Sequence, residues 1–224
     1  MQQRSLQLIG FAAATAAQME GIIDIYRDAF EAPWEMPVAT VAELGRQCSQ
    51  PGAFCRGLAL LDGDTPAALA IAKYLPGAHL WYLQYMAVAR THRNAGLGSG
   101  LLQTMARLGE TVALTAGHVG CRGTLLEVEL VDGPPPDADR TLRRRRATFY
   151  LRHGALRTGA TVPRPPRAQP EMPEWEIMLL PGAAWSGVID AATRHDLVRA
   201  LMVEGYGLDP SAGWLALHLA ATIP

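Results

Sequence analysis

The segment Arg93-Asn94-Ala95-Gly96-Leu97-Gly98, with Ser99 behind it, has the residue types and spacing of an anion cradle. It lies between an apolar run and the start of a helical stripe, so it offers successive main-chain N–H groups, unblocked by bulky side chains, to a group as large as a pyrophosphate. Glycine at 96 and 98 is expected to let the main chain approach phosphates and take positive φ without a Cβ penalty. The dipole of the following helix favours negative charge at the same place. The spacing, Arg-x-x-Gly-x-Gly, is neither the Gly-x-Gly-x-x-Gly of dinucleotide folds nor the lysine-containing loop of NTPases. An ordinary strand-to-helix connection is the alternative, and Ser99 could either offer its hydroxyl to a phosphate or sit in the first helical turn.

Glu127 and Glu129 stand two apart, so on a strand they share one face about 7 Å apart. Carboxylates so placed could take a proton from an ammonium or attract a cation; a solvated strand face is the alternative. Tyr82 and Tyr85 are further polar groups on a neighbouring run, their apolar bodies expected in the core. The run Arg143 to Arg146 suggests phosphate contacts, yet four consecutive residues cover every face of a helix, so at least one must pair internally. The six histidines show no His-x-x-x-His spacing and His118 with Cys121 is an isolated pair, so no metal site is expected.

These groups must be held by elements that the pattern announces. Ser5 to Phe11 reads as a strand, and Thr15 to Phe30 as a helix with Met19, Ile22, Ile23, Tyr26 and Phe30 at helical spacing. A loop, Glu31 to Pro37, precedes a short helix over Val38 to Cys48. Gly57 to Leu61 and Pro66 to Leu75 flank Asp62-Gly63-Asp64, a strong hairpin signal. His79 to Ala89 is an apolar strand without clean alternation, as expected of one covered on both faces. A helical stripe runs from Leu97 to Val112, and Gly123 to Val131 is another strand. Asp139 can cap a helix ending near His153-Gly154. Ala155 to Thr158 reads as a short strand, five prolines between Pro163 and Pro173 forbid regular structure, and Glu174 to Leu180 is a strand with a solvated Glu174/Glu176 side. Val188 to Glu204 and Ser211 to Ala221 read as amphipathic helices joined around Gly205 to Pro210.

Of the 224 residues, 49% are hydrophobic and 18% charged, which suits one large globular domain and excludes extensive disorder. The net charge of -1 conceals a basic stretch, since Arg140 to Arg167 holds nine arginines and no acid. Three cysteines, an odd number in no ligand pattern, argue against a disulfide framework and for a reducing cytoplasm. No apolar run is long enough to span a bilayer. Arg4 followed by Leu6 to Ala17 loosely resembles a secretory signal, but Gln7 and Gly10 interrupt it.

The turn at 93–98, following Met86-Ala87-Val88, resembles the signature of the GNAT superfamily of acyl-CoA-dependent N-acetyltransferases. Ala147-Thr148-Phe149-Tyr150-Leu151-Arg152-His153-Gly154 is similar to that family's Ala-x-x-Phe-Tyr-x-x-x-Gly segment, and the element order agrees over about Leu6 to Leu180. The family's usual asparagine before the tyrosine segment is replaced by Arg143 to Arg146, and Ala155 replaces the usual aromatic after the glycine. The resemblance implies that acyl-CoA lies in the splay between the strands at His79–Ala89 and Gly123–Val131. It implies that residues 93–99 hold the pyrophosphate and that the pantetheine arm pairs with main chain at Met86, Ala87 and Val88. It implies Tyr150 as the acid that protonates the departing thiolate, a phenol of ordinary pKa roughly 10 being protonated at neutral pH. Glu127 or Glu129, directly or through water, becomes the candidate base. The loop carrying Glu31, Trp34 and Glu35 falls where the resemblance puts acceptor recognition, and an aromatic between acids suits an amine. Arg143 to Arg146 could bind the 3'-phosphate of CoA.

The expectation is an α/β fold with a GNAT-like mixed central sheet over residues 1–182. Residues 183–224 form a C-terminal helical extension packed on the same domain, able to lid the cleft or join a homodimer partner. The expected activity is transfer of an acetyl or other short acyl group from acyl-CoA to a small-molecule amine by direct attack in a ternary complex, without metal or membrane. A catalytically weak CoA-binding sensor, and a nucleic-acid module built on the arginine run, are the competing readings.

Overall fold

The computed structural model describes residues 5–30, 35–48, 52–133, 140–164 and 172–221. Among them are seven strands, in one mixed sheet of order β1-β2-β3-β4-β5-β7-β6, and six α-helices. The chain packs as two units, Met1–Lys73 with Leu83–Leu108, and Tyr74–Tyr82 with Gly109–Pro224.

In the first unit, β1 (Leu6–Gly10) leads through a 3-10 turn into α1 (Ala16–Ala29). The helix begins where it does because Thr15 and Gln18 form a reciprocal capping box that satisfies two otherwise orphaned N–H groups. Its apolar stripe, Ile22, Ile25 and Tyr26, packs with Leu61, Leu69 and Ile71 of the sheet. The hairpin announced by Asp62-Gly63-Asp64 joins β2 (Cys55–Asp62) to β3 (Thr65–Leu75), with Asp62 opposite Thr65 and Gly63 at φ +61°. β4 (Leu80–Val88) then feeds α3 (Leu97–Thr115), which runs through both units.

Between α2 (Val38–Gln47) and β2 the structure corrects the sequence expectation: Cys48 and Cys55 form a disulfide. An odd count rules out only complete pairing, and a local link needs just two cysteines whose Cα atoms come within reach, here 4.6 Å. The third, Cys121, is a buried thiol.

In the second unit, β5 (Gly123–Glu129) pairs antiparallel with β7 (Trp175–Pro181), placing Leu125 opposite Leu179 and Glu127 opposite Ile177. β6 (Leu156–Thr161) flanks β7 from the other side, with an irregularity between Arg157 and Ala160 where Gly159 takes φ +74°. Glu176 is not on a solvated side as its sequence suggested; it is 4% exposed and accepts from Arg157 of the neighbouring β6 at 2.5 Å. Burial pushes its carboxyl up, and Arg157 opposes that.

The expected helix over Val188 to Glu204 is also different in detail. Asp190 caps α5 (Ala191–Arg199) by accepting from the N–H of Thr193, and residues Ala200–Gly205 continue as a π-helical turn. After it comes α6 (Gly213–Ala221). Leu197, Leu201, Met202, Leu215 and Leu219 of this segment share one core with Leu80, Leu125, Ile177 and Leu179. On the other side of β4, a Cβ at Gly109 would lie 2.7 Å from Trp81 Cγ, so glycine is what allows α3 to approach that indole. The cap expected at Asp139 and most of the proline-rich loop lie outside the described residues.

Candidate active site

In the first unit β4 ends at Val88, a 3-10 turn covers Arg90–His92, and the chain reverses into α3. Asn94 and Gly96 both have positive φ, +63° and +79°, the sequence of conformations that turns main-chain N–H groups toward a common concavity. Asparagine tolerates this region and glycine enters it without cost. The first bond of the helix runs from the N–H of Gly100 to the carbonyl of Gly96. The N–H groups of the first turn, which have no carbonyl inside the helix to bond, project from its N-terminus. A Cβ at Gly96 or at Gly100 would meet nothing within 4 Å, so the space in front of the turn is open. Gly98, expected to need positive φ, instead lies in the helical first turn, as does Ser99.

Arg93 does not reach toward that space. Its Nε donates to the carbonyl of Val88 at 3.2 Å and its guanidinium meets Asp28 of α1 at 3.3 Å, while Arg90 bonds the same Asp28 at 2.6 Å. Asp28, which sequence reasoning missed, therefore ties the β4–α3 connection to α1. No local signal marks it, because its partners are more than sixty residues away. A cavity of about 380 Å³ opens from Ala95 and Gly96 along α3 to Arg107, with Leu6 and Leu8 on its apolar side.

Met86, Ala87 and Val88 form the last turn of strand before this connection, and Ala87 is buried in the core. Tyr85 stands in an aromatic group, its ring edge-on to Tyr26 at 5.1 Å and to Phe30 at 5.0 Å, and its side chain is also hydrogen-bonded to that of Tyr26. Tyr26 in turn donates to the carbonyl of Met36, next to the half-buried Glu35. Glu31 and Trp34 lie outside the described residues.

The second unit gathers titratable groups around β5. Strand alternation puts Glu127 on the face that carries Leu125, the face covered by the C-terminal core. A carboxylate there needs partners, and two phenols supply them. Tyr82, itself 3% exposed, donates to Oε2, and Tyr206, just beyond the π-helical turn, donates to Oε1. Burial pushes the Glu127 carboxyl above the usual carboxylate range, while the two phenols pull against that shift. Tyr82, beside a carboxylate and out of water, is harder to ionise, pushed well up by its burial. A carboxylate has about four lone-pair positions and the phenols use two, so Glu127 retains the capacity to accept a proton.

Glu129 shares the face but not the environment. It accepts from Arg146 at 2.7 Å and stands 3.8 Å from Arg143, so it is neutralised by two cations of α4 (Arg140–Arg152). The pair expected from the sequence thus separates into a carboxylate held by neutral donors and one held by guanidiniums. Arg143 is 3% exposed and also donates to the carbonyls of Leu130 and Gly133, and Arg140 pairs with Asp132. The arginine run is therefore divided among internal partners and solvent instead of forming one basic surface.

Tyr150, also on α4, packs edge-on against Phe149 at 5.2 Å, and Phe149 against His153 at 4.6 Å. Burial pushes its phenol up to about 12, with Arg146 pulling the other way, so it is protonated at neutral pH. Tyr206 is the second residue that sequence reasoning missed. Its only sequence signal is an aromatic between two glycines in what reads as a joint between helices.

Residues 19–122 match the model of the Acetyltransferase (GNAT) family. No curated protein matches the sequence. Solved structures with the same fold include the ribosomal-protein-S18-alanine N-acetyltransferase from Escherichia coli, 17% identical with a TM-score of 0.52 over 79% of this chain and 93% of that one. A GCN5-related N-acetyltransferase from Kribbella flavida is 20% identical with a TM-score of 0.53 over 79% and 98%. An aminoglycoside 6'-N-acetyltransferase in complex with coenzyme A is 15% identical, with a TM-score of 0.55 over 78% and 96%. The mixed sheet flanked by helices is the GNAT fold. Among the described residues no helix is long and apolar enough to cross a membrane.

Proposed function

We propose that this chain, whose residues 19–122 match the GNAT acetyltransferase family model, transfers an acyl group, acetyl or another short chain, from acyl-CoA to the amine of a small molecule. The observation that carries the reading is the turn at 93–98. Asn94 and Gly96 at positive φ line the entrance of α3 with main chain, and the space before it is open. That arrangement suits a diphosphate, which main-chain N–H groups and the helix dipole stabilise together. A CoA thioester supplies the activated acyl group when bound.

In this reading the main chain of Ala95 to Ser99, with Arg93 and Asn94 shaping the turn, binds the diphosphate. Met86, Ala87 and Val88 offer strand main chain to the pantetheine arm, and the N–H of Val88 polarises the thioester carbonyl. Glu127 accepts the proton that the acceptor amine must lose. The amine nitrogen then bonds to the acyl carbon as the carbon–sulfur bond breaks, Tyr150 gives its proton to the departing sulfur, and the second proton that the nitrogen sheds on becoming an amide restores the Tyr150 phenol. Glu129 keeps Arg143 and Arg146 in place. Glu35, with Glu31 and Trp34 of the same loop, favours a cationic acceptor, of which an aminoglycoside or a polyamine is representative. Residues 183–224 act as part of the same domain.

The test is release of free thiol from acetyl-CoA with the purified protein and a panel of amines: aminoglycosides, polyamines, amino acid amides and short peptides. Acceptor-dependent release that Glu127→Gln lowers by about 10² or more is the expected result, the lower range for loss of one acid–base group. CoA binding without release for any amine would contradict transfer and favour a CoA sensor.

A further inference from the structure

The C-terminal segment reaches Glu127 through a change in helical winding. α5 is regular to Arg199, and the next six residues, Ala200–Gly205, follow the wider π pattern, so that the N–H of Tyr206 bonds the carbonyl of Leu201. Such turns are rare and cost regular hydrogen bonding, and they commonly serve to re-aim one side chain. Here the side chain so aimed is Tyr206, whose ring stands edge-on to Tyr82 at 6.3 Å and whose hydroxyl donates to Glu127 Oε1.

Two further contacts fix the turn. Glu204 accepts from the N–H of Gly77 at 2.8 Å, and the N–H of Leu208 bonds the carbonyl of Met202. Gly205 packs closely within the turn: a Cβ there would lie 3.1 Å from Leu201 Cδ1 and in ordinary contact, 3.6 Å, with the Tyr82 ring. Tyr206 remains 45% exposed, unlike Tyr82, so one donor to Glu127 is sealed in the core and the other stands at the surface.

We infer that Tyr206 is a positioning residue for Glu127: its hydroxyl, delivered by the π-helical turn, holds Oε1 and keeps the carboxylate ionised and oriented to accept a proton. The inference rests on the reading of Glu127 as the base. Among the described residues the titratable groups that act on Glu127 are Tyr82 from β4 and Tyr206 from the C-terminal segment. Glu129, two residues along β5, is taken up by Arg143 and Arg146, and Ile177 opposite on β7 is apolar. A donor to the charged form favours that form, so removing the Tyr206 hydroxyl leaves burial less opposed and moves the carboxyl up.

The experiment compares the parent, Tyr206→Phe and Glu127→Gln in two measurements. The first is a carbon-13 titration of carboxyl-labelled glutamate, with the Glu127 resonance identified by its loss in Glu127→Gln. It requires no acceptor. The second is the pH dependence of kcat/KM for thiol release from acetyl-CoA with the best amine of the panel. Tyr206→Phe is expected to raise the Glu127 midpoint by on the order of one pH unit, the lower end for a charge-assisted hydrogen bond. The acid limb of kcat/KM should move up equally, giving a loss of about tenfold below the limb and less than about twofold on the plateau. A role confined to docking the C-terminal segment would lower the rate at every pH and leave the midpoint where it was. An unmoved midpoint in Tyr206→Phe, with Glu127→Gln inactive, overturns the inference and leaves the base reading standing. A Glu127→Gln protein that turns over like the parent removes the base reading and the inference together.

Discussion

A carboxylate on the apolar face of β5 is hard to account for as packing, since an aliphatic residue opposite Ile177 would need no donors at all. Glu127 has two, both neutral, and the difference from Glu129 lies in the partner chemistry: Glu129 meets guanidiniums, Glu127 meets phenols. Tyr150 has the opposite assignment. Its phenol, pushed up to about 12 by burial, should hold its proton through the whole working range, so an acid role for it predicts no fall in rate between pH 7 and 10. Tyr150→Phe should lower kcat at least about tenfold with CoA affinity unchanged, read by thiol release and by calorimetric titration. Unchanged kcat would end that role. The glycine turn, Glu127 and Tyr82 were legible in the sequence, because strand period and turn chemistry are local. Asp28 and Tyr206 were not, because each meets its partner across more than sixty residues of chain. Tyr85 was legible as a polar group with an apolar body; that the body joins Tyr26 and Phe30 depends on packing.

Among the elements, most of the boundaries follow from rules that operate within one turn. Thr15 with Gln18 starts α1, Asp190 starts α5, and the glycine at 63 closes the β2–β3 hairpin. What local rules do not reveal is the consequence of neighbours. Glu174 and Glu176 alternate like a solvated strand, yet the second of them is buried, with Arg157 of β6 laid against it. Residues 200–205 carry helical apolar spacing that fits either winding, and the π turn is selected by contacts at Gly77 and Glu127. The disulfide belongs here too, since it joins the end of α2 to the first residue of β2, seven positions on. Closing so short a loop in the unfolded chain should contribute roughly 2 to 3 kcal/mol. Reduction, or Cys48→Ser with Cys55→Ser, is therefore expected to lower Tm by roughly 5 to 10 °C for a chain of this size, as read by scanning calorimetry. Cys121, whose buried thiol is pushed up to about 11, should not compete for either partner. Three thiols alkylated without reductant, and a Tm indifferent to it, would contradict the link.

For the molecule as a whole, residues 19–122 match the acetyltransferase family and the fold agrees, while two members of the arginine run, the chief rival signal, are taken up by Glu129 and two carbonyls. The acyltransfer reading rests most heavily on the open turn before α3, so its most direct test is calorimetric titration of CoA into the parent protein and into Gly98→Trp, whose indole would occupy the first turn of that helix. The account predicts one CoA bound per parent chain. It predicts binding at least tenfold weaker, about 1.4 kcal/mol, in Gly98→Trp, with thermal unfolding unchanged. A parent that binds no CoA, or a Gly98→Trp protein that binds it as tightly, would contradict it.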